Sequence, residues 1–211
     1  MTRDAQRHLI EADPAMAALI GRIGPCRMVR ERGRSPYRAL MHAISHQQLH
    51  GNAAKAIMGR FLALYPGVDF PPPELVLATE TGVLRACGFS GSKIAALRDI
   101  CERTLDGTVP TSHAASRLSD EALIERLTAV RGVGRWTVEM LLIFTLGRPD
   151  VLPVDDFGVR EGYRLLHGLE SQPRPRELAR IGERWAPYRT TAAWYLWRSA
   201  DAGKKIKQPG A

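Results

Sequence analysis

Two segments of the chain carry residue types and spacings that can do chemistry. The first is Leu127-Thr128-Ala129-Val130-Arg131-Gly132-Val133-Gly134-Arg135-Trp136-Thr137-Val138. Two glycines two residues apart allow positive φ and a close approach of the backbone. The helix that starts at once behind them points the free N–H groups of its first turn outward, where they suit a phosphate oxygen. Arg131 and Arg135 flank that position, although a plain corner between two helices would use the same turn. The second segment is Leu152-Pro153-Val154-Asp155-Asp156-Phe157-Gly158-Val159-Arg160, with two acids at the entry of a helix expected from Phe157 onward. Acids at this place are ordinary N-capping residues. A helix N-terminus also keeps a carboxylate ionised, and such a group can stabilise a cationic transition state and orient or deprotonate water.

Helices must position both segments, because apolar residues recur mostly at helical spacing. Tyr37, Leu40, Met41 and Ile44 line one face of a helix running towards Gln48, and Ile94, Leu97, Cys101 and Leu105 repeat the pattern after Gly91. Ser119 reads as an N-cap, with Asp120 and Glu121 in the first turn and Leu123, Ile124 and Leu127 facing inward. From Trp136 to Leu146 nearly every residue is apolar, so a central helix buried on most sides is expected. Further helices are expected over 14–23, 52–65, 80–87, 157–167, 174–184 and 188–201. Pro36, Pro66-Gly67, Pro71 to Pro73, Gly88, Gly107, Pro153 and Pro173 punctuate them. No stretch alternates long enough for a half-buried strand. The expected fold is all-α: a two-lobed bundle of about ten helices with a cleft between the lobes. It forms one domain over 1–211, with a helical hairpin about 119–147 and the segment 1–36 packed with the C-terminal helices.

Composition narrows the partners. With 211 residues, 45% of them apolar and 25% charged, the chain has the make-up of a globular protein. Its apolar runs, Met140 to Phe144 among them, are far short of the ~20 residues a membrane span needs. The first residues show no apolar signal-peptide core, so cytoplasm is the default expectation. Three cysteines, Cys26, Cys87 and Cys101, lack the spacing of a disulfide framework or a cysteine-built cluster. Thirty Lys+Arg against 22 Asp+Glu give a net charge of +8, which points to a polyanionic partner. Only Lys55, Lys93, Lys204, Lys205 and Lys207 are lysines. The arginine bias suits bidentate phosphate contacts, and equally a GC-rich genome. Arg22, Arg27, Arg30, Arg32, Arg34 and Arg38 cluster with Glu31 as the only acid among them, and the tail ends Gly-Lys-Lys-Ile-Lys-Gln-Pro-Gly-Ala.

Taken whole, the string of capped helix, Gly-Val-Gly-Arg, β-branched residues and buried helix resembles the helix–hairpin–helix motif of DNA-binding proteins. With the Pro-Val-Asp loop behind it, roughly residues 37–200 resemble the helix–hairpin–helix DNA glycosylase superfamily. Gly-Arg-Trp-Thr (134–137), Leu-Pro-Val-Asp-Asp (152–156), Arg-Trp-Ala-Pro-Tyr-Arg (184–189) and Trp-Tyr-Leu-Trp (194–197) are similar to its DNA-3-methyladenine glycosylase branch. The resemblance implies base excision repair. It implies hydrolysis of the N-glycosidic bond of alkylated purines, chiefly 3-methyladenine, in duplex DNA, leaving an abasic site. Asp156 becomes the catalytic carboxylate and Asp155 the neighbour that caps or supports the helix; a gapless match to the iron–sulfur branch favours Asp155 instead. Strand-cutting relatives carry a lysine nucleophile where this chain has Trp136, and no lysine lies between Lys93 and Lys204. That implies a monofunctional enzyme without lyase activity, and the missing four-cysteine set implies no iron–sulfur cluster. Alternatives are a glycosylase for another damaged base, or a DNA-binding module without catalysis.

The same resemblance assigns further residues. The damaged nucleotide must leave the stack, and in Ser45-His46-Gln47-Gln48-Leu49-His50 the residue entering the gap is Gln48, with Leu49 second; a polar helix end touching nothing is the alternative. Trp136 and Trp197 match aromatics of the base pocket, and Met140 stands where relatives can have a tyrosine. Trp185 and Trp194 are expected in the core. Arg131, Gly132, Gly134, Arg135 and Thr137 are expected at the DNA. Main-chain carbonyls of Thr128, Val130 and Val133 are the candidate ligands of a monovalent cation bridging to phosphate, and no other cofactor is required. His42, His46 and His50 at i, i+4 and i+8 invite a zinc reading, but the third drifts away from the first and no fourth ligand is near. The expected partner is double-stranded DNA with a flipped nucleotide, bound by a monomer, with no membrane.

Overall fold

The computed structural model describes residues 3–31, 33–49 and 51–207, with side chains as far as residue 203. Arg32, His50 and the side chains of Lys204, Lys205 and Lys207, singled out above, lie outside the described residues. Among the described residues every regular element is helical. In chain order these are α1 (Arg3–Ala12), α2 (Pro14–Ile23), α3 (Pro36–His46), α4 (Gly51–Ala63), α5 (Pro73–Ala78), α6 (Thr81–Ala86) and α7 (Gly91–Leu105). There follow α8 (Ser112–Ser116), α9 (Asp120–Thr128), α10 (Arg135–Met140), α11 (Phe157–Leu166), α12 (Pro175–Gly182) and α13 (Arg189–Lys207).

Local chemistry sets the starts. Ser35 Oγ accepts from the Arg38 N–H at 3.2 Å with Pro36 at the first helical position, and Ser119 Oγ does the same for Ala122 at 3.2 Å. Helices α1, α5 and α8 were not expected, and each gives a thin periodic signal. Only Ala5 and Leu9 of α1 are buried, α5 starts within a run of three prolines, and α8 has five residues with Ala115 alone inside. The expected helix from Trp136 to Leu146 is instead α10 followed by a π-helical turn, Leu141–Leu146. Val138, Leu141, Leu142 and Ile143 are buried, but Met140 is only partly so and Trp136 is 48% exposed. Leu105 is also exposed, since α7 outruns its core and Ile100 supplies the inward side chain.

The chain divides into two compact units. The continuous one, Glu31–Leu146, holds α3 to α10 around Leu40, Met41, Ile44, Phe61, Leu97 and Ile100, all 0–1% exposed. The other joins Met1–Arg30 to Gly147–Ala211 and holds α1, α2 and α11 to α13. Leu9, Met16, Val159, Leu178, Trp185 and Tyr195 form its centre, with Trp194 at the margin. Asp13, itself buried, caps α2 through Ala15 and Met16 and accepts the Trp185 indole N–H at 3.1 Å, so one carboxylate answers three donors. Helices α11 and α13 approach so closely at Gly162 that a Cβ there would overlap the main-chain carbonyl of Leu196.

Candidate functional site

In the continuous unit, α9 and α10 form the hairpin. Val130 and Val133 anchor its turn in the core, and the Val133 N–H closes on the Val130 carbonyl at 3.1 Å. Gly132 takes φ +77°, and a Cβ there would stand 3.2 Å from Ile44 Cδ1 of α3. Gly134 behaves differently from expectation. Its φ of −94° and ψ of 168° are open to any residue, and an added Cβ would meet nothing within 4 Å. The fold therefore needs glycine at 132 but gives no internal reason for glycine at 134.

The flanking side chains also divide. Arg131 is exposed, and its main-chain N–H donates to Asp99 Oδ2 at 2.7 Å. Arg135, expected to face phosphate, is committed to two carboxylates: Glu121 Oε1 at 3.0 Å from Nη2 and the buried Glu139 Oε1 at 3.1 Å from Nε. Hydrogen bonding to Glu121 first, and the charge of both acids, hold its guanidinium more firmly protonated than usual. Thr137, expected at the DNA surface, is only 6% exposed. The arginine cluster is likewise partly answered, since Arg34 pairs with Glu31 at 2.6 Å and Arg38 pairs with Asp69.

A cavity of about 340 Å³ opens in the same unit between α3 and the π-helical turn, lined by Glu31, His42, His46, Thr137, Met140 and Phe144 among others. Met140 lines this cavity, whereas Trp136 is not among its lining residues and is half exposed. The His42 ring stacks on Phe70 at 5.7 Å between centroids. Burial, with the positive charges of Arg34 and Arg38 and the His46 ring, lowers its pKa from 6.5 to about 4. A depressed histidine favours the neutral ring in the folded state. Its contribution to stability is present above pH 6.5 and lost as pH falls through about 4. His42→Phe, which keeps the stacked ring and removes the titration, should flatten the fall of the urea midpoint across that window; an unchanged pH dependence would remove His42 as its source.

In the other unit Asp156, not Asp155, is the N-cap of α11. Its Oδ1 accepts the Val159 N–H at 2.8 Å and also the Trp197 indole N–H at 2.8 Å. Asp155 is exposed. The supporting role expected for Asp155 therefore belongs to Asp156 itself. Trp197 is packed against the core of this unit, with its N–H on the carboxylate rather than simply offered to a base. Two neighbours escaped the sequence reading. A Cβ at Gly158 would come within 2.8 Å of Trp197 Cδ1 and 3.2 Å of Asp156 Oδ1, so bare glycine lets the indole reach the acid. Phe157, beside the carboxylate, is 63% exposed. Its signal was present: it lies off the stripe that buries Val159 and Gly162.

Among the described residues, no group of three or more His, Cys, Asp or Glu could hold a metal ion. Cys87 and Cys101 are buried thiols, Cys101 with its pKa pushed up to about 11 by burial. Also among these residues, no helix is long and apolar enough to cross a membrane.

Residues 41–187 match the HhH-GPD superfamily of base excision DNA repair proteins. The chain belongs to that superfamily. DNA-3-methyladenine glycosylase 1 of Schizosaccharomyces pombe is 46% identical over 195 residues, 91% of this chain and 85% of that protein. A solved structure of the 3-methyladenine DNA glycosylase of that yeast in complex with abasic DNA superposes with a TM-score of 0.82 at 45% identity, covering 94% of this chain and 97% of the other. The DNA-3-methyladenine glycosidase of Bacillus halodurans superposes with a TM-score of 0.87 at 32% identity, over 95% and 91% of the two chains. The span matched to the HhH-GPD superfamily contains Gln48, the hairpin and Asp156. Trp197, the indole donor to Asp156, lies beyond its end.

Proposed function

We propose that this member of the HhH-GPD superfamily is a monofunctional DNA glycosylase that hydrolyses the N-glycosidic bond of alkylated purines, chiefly 3-methyladenine, in duplex DNA and leaves an abasic site. One observation carries the chemistry. Asp156 stands at the start of α11 with a main-chain N–H and an indole N–H on the same oxygen, donors that fix the orientation of the carboxylate. An alkylated purine already carries positive charge, so its departure needs no general acid. As the bond from C1′ to the base nitrogen breaks, the carboxylate stabilises the cationic sugar and orients the water whose oxygen joins C1′. Trp136 occupies the position where relatives form a Schiff base, and an indole cannot do so. The face of Trp136 and the cavity at Met140 are the surfaces we assign to the base, by stacking and cation–π attraction in the case of Trp136.

The hairpin grips phosphate and so binds without regard to sequence. The carbonyls of Thr128, Val130 and Val133, three neutral oxygens near one tight turn, suit a hard monovalent cation. That of Val130 retains one lone pair beyond its bond to Val133. Such an ion would add positive charge beside the phosphate and no chemistry. Nothing else is required as cofactor. The partner is duplex DNA with one nucleotide flipped, bound by a monomer in the compartment that holds DNA, which for a bacterium is the cytoplasm.

The two glycines separate grip from fold. Gly134→Ala should leave the urea midpoint unchanged and weaken binding to all duplexes alike, because only an external backbone meets the new methyl. Gly132→Ala should lower stability by about 1–2 kcal/mol, the cost of a side chain in the left-handed region. Parent affinity in Gly134→Ala, measured by fluorescence anisotropy, would take the hairpin out of the interface. The activity itself is tested by incubating the protein with methylated duplex DNA and separating free bases. Release of 3-methyladenine, with strands left uncut at the abasic sites, is expected. DNA binding without release of any base from a panel of lesions would overturn the enzyme reading.

A further inference from the structure

The loop after α3 and the turn of the hairpin are 85 residues apart in sequence, and one side chain joins them. Gln47 Nε2 donates to the carbonyl of Gly132 at 3.0 Å. A carbonyl only accepts, so the amide nitrogen must be the atom facing it. The contact does not stand alone. A Cβ on Gly132 would touch Ile44 Cδ1, so the turn lies against the last turn of α3. Lys93 Nζ, from the first turn of α7, donates to the Ser45 carbonyl at 2.9 Å, at the end of α3 where a cation suits the helix dipole. The next residue, Gln48, has φ +56°, and among the described residues no other non-glycine residue has positive φ. An L-residue holds that conformation only where its surroundings over-determine it. Gln48 and Leu49 are both exposed.

We propose that Gln47 is the positioning residue that sets the Gln48-Leu49 wedge in register with the phosphate-gripping turn; this rests on the glycosylase reading above. The demand for such a brace is geometric. Successive base steps along a strand are about 3.4 Å apart, so a wedge misplaced by that distance relative to the gripped phosphate enters the wrong step. The Gln47–Gly132 bond ties the wedge directly to the residue that forms the grip, so that gripping the backbone also aims the wedge. Gln47 contacts neither base nor sugar in this role.

The test uses Gln47→Leu, which keeps the bulk and removes the donor, and Gln47→Glu, which sets a carboxylate against the carbonyl. Three quantities are measured on the full chain: affinity for an unmodified duplex, single-turnover release of 3-methyladenine from methylated duplex DNA at saturating protein, and the fluorescence of 2-aminopurine placed beside a tetrahydrofuran abasic analogue. Both variants should bind unmodified duplex within about twofold of the parent, with base release slowed about tenfold or more and most of the 2-aminopurine rise lost, as expected when a reacting geometry is loosened by an ångström or more. Parent release and a parent fluorescence rise in both variants would overturn the proposal. So would a loss confined to duplex affinity, which would make Gln47 part of the grip alone. The fluorescence arm needs no base release. If the parent released no base yet showed a rise that Gln47→Leu abolished, the glycosylase reading would fail and the brace would stand.

Discussion

Asp156→Asn is expected to slow release of 3-methyladenine from methylated duplex DNA by about 10²–10⁴-fold while leaving both DNA affinity and fold intact. The asparagine keeps an oxygen where Asp156 Oδ1 accepts from Val159 and Trp197, and Asn is as good an N-cap as Asp. The substitution therefore removes one negative charge and little else. Asp156→Ala makes the contrast, since it also uncaps α11 at about 1 kcal/mol and leaves the Trp197 N–H without this acceptor. Asp155→Asn, at an exposed side chain, should retain release within about twofold, as surface changes away from partners usually do. Loss of activity in Asp155→Asn with full activity in Asp156→Asn would move the catalytic charge by one residue and leave the chemistry standing.

Gly162→Ala should be the most destabilising single methyl that can be added to the unit carrying Asp156. Glycine to alanine inside a helix ordinarily stabilises by about 0.5–1 kcal/mol. Here the new Cβ would overlap the main-chain carbonyl of Leu196 and stand 2.9 Å from Leu196 Cα. A main chain in the middle of a helix cannot rotate aside as a side chain does, so α11 and α13 would have to separate. Overpacking costs about 1–3 kcal/mol where side chains can yield, and against a rigid helix a loss of about 3 kcal/mol or more is expected. Because Asp156 opens α11 and Trp197 sits on α13, activity should fall with stability. Gly59→Ala is the control: it lies in α4 with nothing within 4 Å of the added methyl, and should raise the urea midpoint slightly. Equal midpoints for parent and Gly162→Ala, at constant m-value, would show that the two helices part without penalty.

Much of this was legible from the chain because the signals are local. Caps such as Ser35 and Ser119, the 3.6-residue recurrence through α3, α7 and α9, and the glycine turn after α9 all act within a few residues of themselves. The Arg135–Glu139 pair was legible in the same way, four residues apart on one helix, but charge at the hairpin was read as pointing outward. Which glycine takes positive φ was not, nor that a side chain at 132 would meet Ile44 of α3 and Ala96 of α7. Nor was the division of labour between Asp155 and Asp156, which depends on which one has the extended backbone of an N-cap and on an indole from α13 arriving 41 residues later. Local pattern is enough for the longer helices, the hairpin and the pair of acids from which the carboxylate is drawn, but not for α1, α5 and α8, whose buried stripes are too thin. What each side chain faces follows from long-range packing, because at Asp156, Gln47 and Gly162 the deciding partner comes from a helix or turn remote in sequence, brought into contact by burial of the apolar stripes.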